Sequence, residues 1–306
     1  MTLTELRYIV AVARERHFGR AAEACHVSQP TLSVAVKKLE EELEVKLFER
    51  GASEVSLTPL GEQIVRQAQA VLEQAAAIKE IARRGHDPLA GPLRLGIIYT
   101  IGPYLLPTLV RRTIARTPQM PLMLVENFTV RLLEMLRSGE LDCAILAEPF
   151  PDAGLAIAPL YDEPFVIALP RSHPLAAREQ IGSAELKRET MLLLGTGHCF
   201  RDHVLEVCPE FARFSSDAEG IRKSFEGSSL ETIKHMVASG MGLTVVPWLS
   251  VPPEPQPHVA YVPFAPPVPT RRVVLAWRRT YTRYEAIAAL RNAVYACELS
   301  GVKRLS

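Results

Sequence analysis

Residues 18–50 read FGRAAEACHVSQPTLSVAVKKLEEELEVKLFER, and residues 57–62 add LTPLGE. The closely spaced Ala21, Ala22 and Ala24 predict a short helix over 20–26 that can lie near a neighbour, with 17–19 as a turn before it. Ser28 is a good N-cap, and Pro30 suits a first helical turn, where its missing N–H removes no hydrogen bond. A further helix is predicted over 31–43, with Leu32, Val36, Leu39 and Leu43 inward. Upstream, Leu3, Leu6, Ile9, Val10 and Val12 give residues 3–16 one apolar helical face. Two short helices joined by a tight turn make a helix-turn-helix.

The second of these helices offers Gln29, Pro30, Thr31, Ser33 and Val34 near its start. Small polar side chains there reach base edges in a major groove, and Gln can bond adenine bidentately. Lys37 and Lys38 are placed for phosphates. Residues 45–58 predict a two-stranded wing, with Arg50 as its minor-groove or phosphate contact. The same pattern also fits a three-helix structural domain with a solvated basic face. Charge does not choose between them: the chain carries 35 basic against 34 acidic residues, and residues 1–90 carry 12 against 13. Duplex DNA-binding domains are usually clearly basic.

Thr58 and Pro59 open a long helix that Gly85 should end. Ile64, Ala68, Val71, Ala75, Ile78 and Ala82 repeat at 4-3-4-3-4, a heptad seam for a two-helix coiled coil. A helix packed on its own domain is the alternative. Residues 86–92, HDPLAGP, form a linker.

From residue 93 strands and helices alternate: strands over 93–99, 122–127, 143–147, 165–169, 191–194, 221–226, 243–248 and 271–277, and helices over 102–116, 130–138, 230–239 and 284–297. This predicts an α/β region with mostly parallel sheets. No apolar run approaches the roughly 20 residues of a membrane span. The start, MTLTELR, is no secretion signal, so the chain is read as cytoplasmic. Five widely spaced cysteines are not a secreted disulfide framework.

The sharpest chemistry lies at 195–208, GTGHCFRDHVLEVC. A strand ends in glycines, and Cys199 opens the next helix. The helix N-terminus, His198 and Arg201 would favour thiolate over thiol. A thiolate attacks peroxide to give a sulfenic acid, with which a second thiol condenses. Two other readings stay open: buried structural cysteines, and a metal site from His198, Cys199, His203 and Cys208, whose spacing matches no common zinc pattern.

The stretches 18–50 and 57–62 resemble the signature of LysR-type bacterial transcription regulators, and the resemblance extends along the whole chain. Val34 and Glu54 depart from it, where family members often carry Arg and a basic wing tip. It implies a multidomain fold: a winged helix-turn-helix at 1–58, a linker and dimerisation helix at 59–88, then a two-subdomain, periplasmic-binding-protein-like α/β effector region. Subdomain I would take 91–163 and 268–306, and subdomain II 164–267. Residues 101–107 (IGPYLLP), 141–146 (LDCAIL), 197–208 and 228–254 are similar to the hydrogen-peroxide-sensing branch of that family.

This resemblance implies a peroxidatic role for Cys199 and a resolving role for Cys208, with Thr100, Thr129, His198 and Arg201 around the peroxide. It implies no cofactor, no metal and no catalytic turnover. Promoter DNA, RNA polymerase, a thiol reductant system and further copies of the chain, as homodimer or homotetramer, would be the partners. On a helix the two sulfurs would stand on opposite faces, about 13 Å apart along the axis. A disulfide needs Cα atoms within about 7 Å, so oxidation would have to rebuild the segment and its apolar face, Phe200, Val204, Leu205, Val207 and Phe211. A regulator answering a small metabolite in the inter-subdomain cleft, and a dithiol peroxidase with a helix-turn-helix appendage, are the competing functions.

Overall fold

The computed structural model describes residues 1–50, 55–84, 87–209, 226–227 and 229–305, with backbone alone at 50, 79–84, 188 and 226–227. The side chains of Arg50 and Ala82, the wing tip at Glu54, Gly85, His86, Phe211 and most of the strand expected over 221–226 lie outside the described parts.

Helix α1 (Leu3–Glu15) starts with a capping box: Thr2 Oγ1 accepts from Glu5 N, and Thr2 N donates to Glu5 Oε2. Helix α2 is Phe18–Ala24, two residues earlier than the sequence predicts. His17 is the reason, because its Nδ1 accepts from Gly19 N and Arg20 N at 3.0 and 3.2 Å and so caps the helix. Helix α3 is Gln29–Glu42, capped by Ser28 Oγ, which accepts from Thr31 N. Leu6, Ile9, Val12, Ala21, Leu32, Val36 and Leu39 fill one core. Glu40 is buried in it and takes hydrogen bonds from Leu47 N (2.8 Å) and Phe48 N (3.3 Å), which fixes the entry to the wing. The wing pairs β1 (Phe48–Arg50) antiparallel with β2 (Val55–Leu57).

Helix α4 spans Pro59–Arg84, with Thr58 Oγ1 accepting from Gly61 N at 2.8 Å. The heptad seam splits. Ala68 is buried against the helix-turn-helix core and Ile64 packs beside it, whereas Val71 and Ile78 are exposed, Ile78 by 69%. The first half of the seam therefore serves its own domain. The helix then touches the α/β region: Glu73 Oε1 lies 2.6 Å from Arg278 Nε, Thr280 Oγ1 donates to Glu73 Oε2, and Gln74 Nε2 donates to Thr280 O.

The α/β region runs β3 (Leu93–Ile98), α5 (Gly102–Arg116), β4 (Leu122–Asn127), α6 (Thr129–Arg137), β5 (Cys143–Ala147), β6 (Leu155–Pro170), β7 (Leu193–Leu194), α7 (Cys199–Val207), β8 (Glu226–Gly227), α8 (Leu230–Ala238), β9 (Thr244–Pro247), β10 (Val259–Pro263), β11 (Thr270–Arg278), α9 (Tyr284–Tyr295) and β12 (Lys303–Arg304). Strand β3 is parallel to β4 and β5. All other partners in that sheet are antiparallel: β11 with β5 and β6, and β6 with β9, β10 and β12. The sheets are thus mixed, not mostly parallel. The difference comes from β6, of which only 165–169 reads as a strand. Its first half, LAIAPLYDEP, carries two prolines and two acids, poor strand formers, and is held extended by pairing with β11 from Leu155↔Arg278 to Pro164↔Thr270.

Strand β6 also joins two cores. Its residues up to Tyr161 belong to one, with β3, β5, β11 and α9; from Phe165 they belong to a second, with β9, β10, α7 and α8. Helices α5 and α8 meet across the gap, where Tyr104 Oη donates to Glu231 Oε1 at 2.5 Å. No helix among the described residues is long and apolar enough to cross a membrane.

Candidate redox site and DNA-reading face

On α3 the side chains expected to meet DNA form an outer face. Gln29, Pro30, Thr31, Val34, Lys37 and Lys38 are exposed, and Ser33 is half-buried. Lys37 is lightly held by Glu41, 3.6 Å away one turn on. An exposed pair of this kind adds at most about 1 kcal/mol, so the cation remains free to turn to a phosphate.

The second site forms where three turns meet. Ile98 ends β3 and Tyr99 and Thr100 follow it, Asn127 ends β4 and Phe128 leads to Thr129 at the start of α6, and Gly197 and His198 lead to Cys199 at the start of α7. These nine residues line one cavity. The space open to the centre of a water-sized sphere is about 10 Å³, room for one small polar molecule. Metabolite sites are far larger, on the order of 300–1,000 Å³.

Thr100 Oγ1 accepts from Arg271 Nη1 at 2.8 Å, and Thr100 O accepts from Arg271 Nη2 at 2.9 Å. A hydroxyl that accepts from a guanidinium keeps its own hydrogen to give. Thr129 Oγ1 is buried and makes no hydrogen bond of ordinary geometry, although it lies close enough to the Cys199 sulfur to favour its anion. Such orphans are rare and point to a ligand or water. Cys199 is partly exposed and its sulfur unbonded to another cysteine. Burial pushes its thiol above the ordinary range; the Thr129 hydroxyl and the Arg271 charge pull the other way. The resting sulfur is therefore a thiol, and those two groups lower the cost of its thiolate.

Arg271 is the residue that sequence reasoning missed. Its side chain is 1% exposed and pairs at 2.8 Å with Glu163, which is 0% exposed. Its guanidinium also lies over the Phe200 ring, 5.2 Å from the centroid. One cation thus ties β11, β6, the turn after β3 and α7 together beside Cys199. Nothing local in the sequence marks it, because Glu163 lies 108 residues away.

Thr100, Thr129, His198 and Cys199 are brought together as expected, but Arg201 is not among the lining residues. Its guanidinium is buried and donates to Leu194 O at 2.9 Å. The reason is helical geometry: two steps of 100° turn residue 201 away from residue 199. Cys208 caps the far end of α7, fully buried with Phe200 and Val204 in the second core. Cys143 and Cys297 are buried in the first core. Among the described residues no group of three or more His, Cys, Asp or Glu is arranged to hold a metal ion.

His203 fastens α7 to the other half of the sheet. Its Nε2 stands 2.7 Å from Glu148 O, so this nitrogen carries the proton, and the buried Nδ1 has no partner. Burial lowers its pKa, partly offset by the bond to Glu148, with Arg271 adding to the shift and Glu206 and Asp202 opposing it. A histidine with a depressed pKa contributes stability that is full above the unfolded value of about 6.5 and is lost as pH falls below it. Melting temperatures of the parent and His203→Gln, compared between pH 7.5 and 5.5, test this. The parent should lose more on acidification than the variant; equal losses would remove His203 as the cause.

The comparisons with known proteins agree with this architecture. Residues 3–62 match the family of bacterial regulatory helix-turn-helix proteins of the lysR family, and residues 86–296 match the LysR substrate binding domain. The DNA-binding transcriptional dual regulator OxyR of Escherichia coli K12 is 42% identical over 292 residues, 94% of either chain. The full-length OxyR structure from Pseudomonas aeruginosa, a cysteine-to-aspartate mutant, is 52% identical with a TM-score of 0.76, covering 97% of this chain and 99% of that one. A cysteine-to-serine mutant of OxyR from Corynebacterium glutamicum with hydrogen peroxide bound is 33% identical with a TM-score of 0.62, covering 96% and 91%. The chain belongs to the LysR family of bacterial helix-turn-helix regulators, among the homologues of OxyR.

Proposed function

We propose that this chain is a peroxide-responsive, DNA-binding transcription regulator in which Cys199 is the sensor. The observation that carries the reading is a cavity sized for one small molecule, with a thiol and two threonine hydroxyls at its wall and the buried Arg271 bonded to one of those hydroxyls from behind. A metabolite-sized inducer has no room there. In the first step the Cys199 sulfur, having lost its proton, attacks one oxygen of hydrogen peroxide. The S–O bond forms, the O–O bond breaks, and the departing hydroxide takes a proton to leave as water. Thr100 and Thr129 are assigned to holding the peroxide and donating to the departing oxygen, with His198 at the wall. In the second step the Cys208 thiol displaces water from the sulfenic acid to give the disulfide.

Arg201, tied to Leu194, is assigned to holding the Cys199 turn. Gln29, Pro30, Thr31, Ser33 and Val34 are assigned to bases, and Lys37, Lys38 and Arg50 to phosphates. We assign the domains as 1–58, 59–88, 91–163 with 268–306, and 164–267. The exposed Val71 and Ile78 support pairing of two linker helices, and so a dimer or a tetramer. Strand β11 supports a route from sensor to linker, since Arg271 lies near its start, close enough to Cys199 to favour its thiolate, and Arg278 ends it against Glu73. RNA polymerase and a cytoplasmic thiol reductant complete the partners of such a switch.

The experiment is thiol titration of the full chain after brief exposure to micromolar hydrogen peroxide, with footprinting on promoter DNA recovered by genomic pull-down. Two thiols should disappear and the footprint should shift, both reversed by dithiothreitol. An intact thiol count, with a footprint indifferent to peroxide, would return the chain to the metabolite-responsive members of its family.

A further inference from the structure

Three rings meet at the mouth of the Cys199 cavity, each from a different turn. Tyr99 and Phe128 stand edge to face with centroids 5.3 Å apart, Phe128 and His198 edge to face at 4.8 Å, and Tyr99 and His198 tilted at 5.8 Å. All three line the cavity. His198 is buried, while Tyr99 and Phe128 are each 37% exposed and so form the rim. Gly197, at φ +97°, passes beside this rim: a Cβ there would stand 3.4 Å from Phe128 Cδ1, at van der Waals contact. Interlocked rings backed by a glycine make a defined aperture.

We propose that Tyr99, Phe128 and His198 form a size filter that admits hydrogen peroxide to Cys199 and turns away alkyl hydroperoxides. The proposal rests on the reading of Cys199 as the peroxide-reactive thiol. The chemistry is the same for both oxidants. Sulfur attacks the terminal oxygen of R–O–O–H, the O–O bond breaks, sulfur is oxidised to the sulfenic acid, and the departing RO⁻ takes a proton to leave as water or as an alcohol. Only access differs. The centre of a water-sized sphere can range over only about 10 Å³ here, about one such sphere, so the cavity takes the reacting O–O–H end of an oxidant while the four carbons of a tert-butyl group would have to pass or displace the three rings. A single extra methylene against a fitted pocket is worth roughly 10- to 200-fold in rate.

Stopped-flow oxidation of the full chain by hydrogen peroxide and by tert-butyl hydroperoxide, with Cys199 followed by mass, gives the ratio of the two rate constants. The parent should favour hydrogen peroxide by at least a hundredfold. Phe128→Ala and Tyr99→Ala should each lower that ratio at least tenfold. Phe128→Leu, which keeps the apolar packing of the rim, should lower it less, and Tyr99→Phe, which keeps the ring, should leave it in place. Equal rates in the parent, or an unchanged ratio in both alanine variants, overturn the filter while leaving Cys199 as sensor. A parent whose Cys199 is untouched by hydrogen peroxide overturns the sensor reading and the filter with it.

Discussion

Cys199→Ser is expected to abolish the response to hydrogen peroxide, and Cys208→Ser to separate sensing from switching. A serine hydroxyl is far too weak an acid to supply the anion that attacks peroxide, so the first variant should show no oxidation at residue 199 and an unshifted footprint. In Cys208→Ser, Cys199 still faces its cavity, and only the partner thiol is gone. Intact mass should show one oxygen gained, or a small-thiol cap, where the parent loses two hydrogens.

The footprint of Cys208→Ser should stay that of the reduced form, for a reason of geometry. The cysteines bracket helix α7, Cys199 as its first residue and Cys208 as its C-cap, about 13 Å apart along a helix axis. Bond formation requires their Cα atoms within about 7 Å, so α7 must unwind. Unwinding draws Phe200 and Val204 from the second core, at roughly 1.5–3 kcal/mol each, and breaks the bond from His203 to Glu148 O. Constraint of a loop this short returns only about 2–3 kcal/mol. That return is smaller than the packing lost, so the sulfenic acid alone leaves the helix in place, and what opens α7 is the chemical free energy released when sulfenic acid and thiol condense to disulfide and water. A full peroxide response in Cys199→Ser would sink the sensor reading; a shifted footprint in Cys208→Ser would place the switch at the sulfenic acid.

The readings that succeeded from sequence rest on short-range physics. Ser28, Pro30, Leu32, Val36 and Leu39 specify a capped, one-faced helix within a dozen residues, and the structure forms it. Cys199 after a glycine turn is equally local. The failures are non-local or angular. The family resemblance sets Arg201 around the peroxide with Cys199, yet a helix turns i+2 to the opposite side and Arg201 does not line the cavity. The first half of β6 carries too many prolines and acids to read as a strand, and only β11 holds it extended. Glu40 turns inward because two backbone N–H groups of the wing entry need an acceptor, a partnership no local pattern marks. The heptad seam was legible as a period, but a period does not say which neighbour the helix meets, and Ala68 meets its own domain.

Replacing Arg271 is expected to have the largest effect on stability of any single change at the site. Arg271→Ala leaves Glu163 fully buried with one remaining donor, Leu249 N at 2.8 Å. Breaking one side of a buried pair costs about 3–5 kcal/mol, because the stranded charge has lost both water and partner. Urea unfolding should show a loss of that size. Oxidation of Cys199 should also slow, since the cation that favours its thiolate is gone and the Thr100 hydroxyl has lost its guanidinium partner. The two effects are separable. The double variant R271M with E163M removes both charges and fills similar volume, so it should recover much of the lost stability, as apolar replacements of buried pairs commonly do. It should not recover the oxidation rate, and pH-dependent alkylation should place its Cys199 thiol still higher than in the parent. If the double variant oxidises at the parent's rate, Arg271 is only a structural tie between β6 and β11, and the thiolate must be favoured by Thr129 and the surrounding backbone alone.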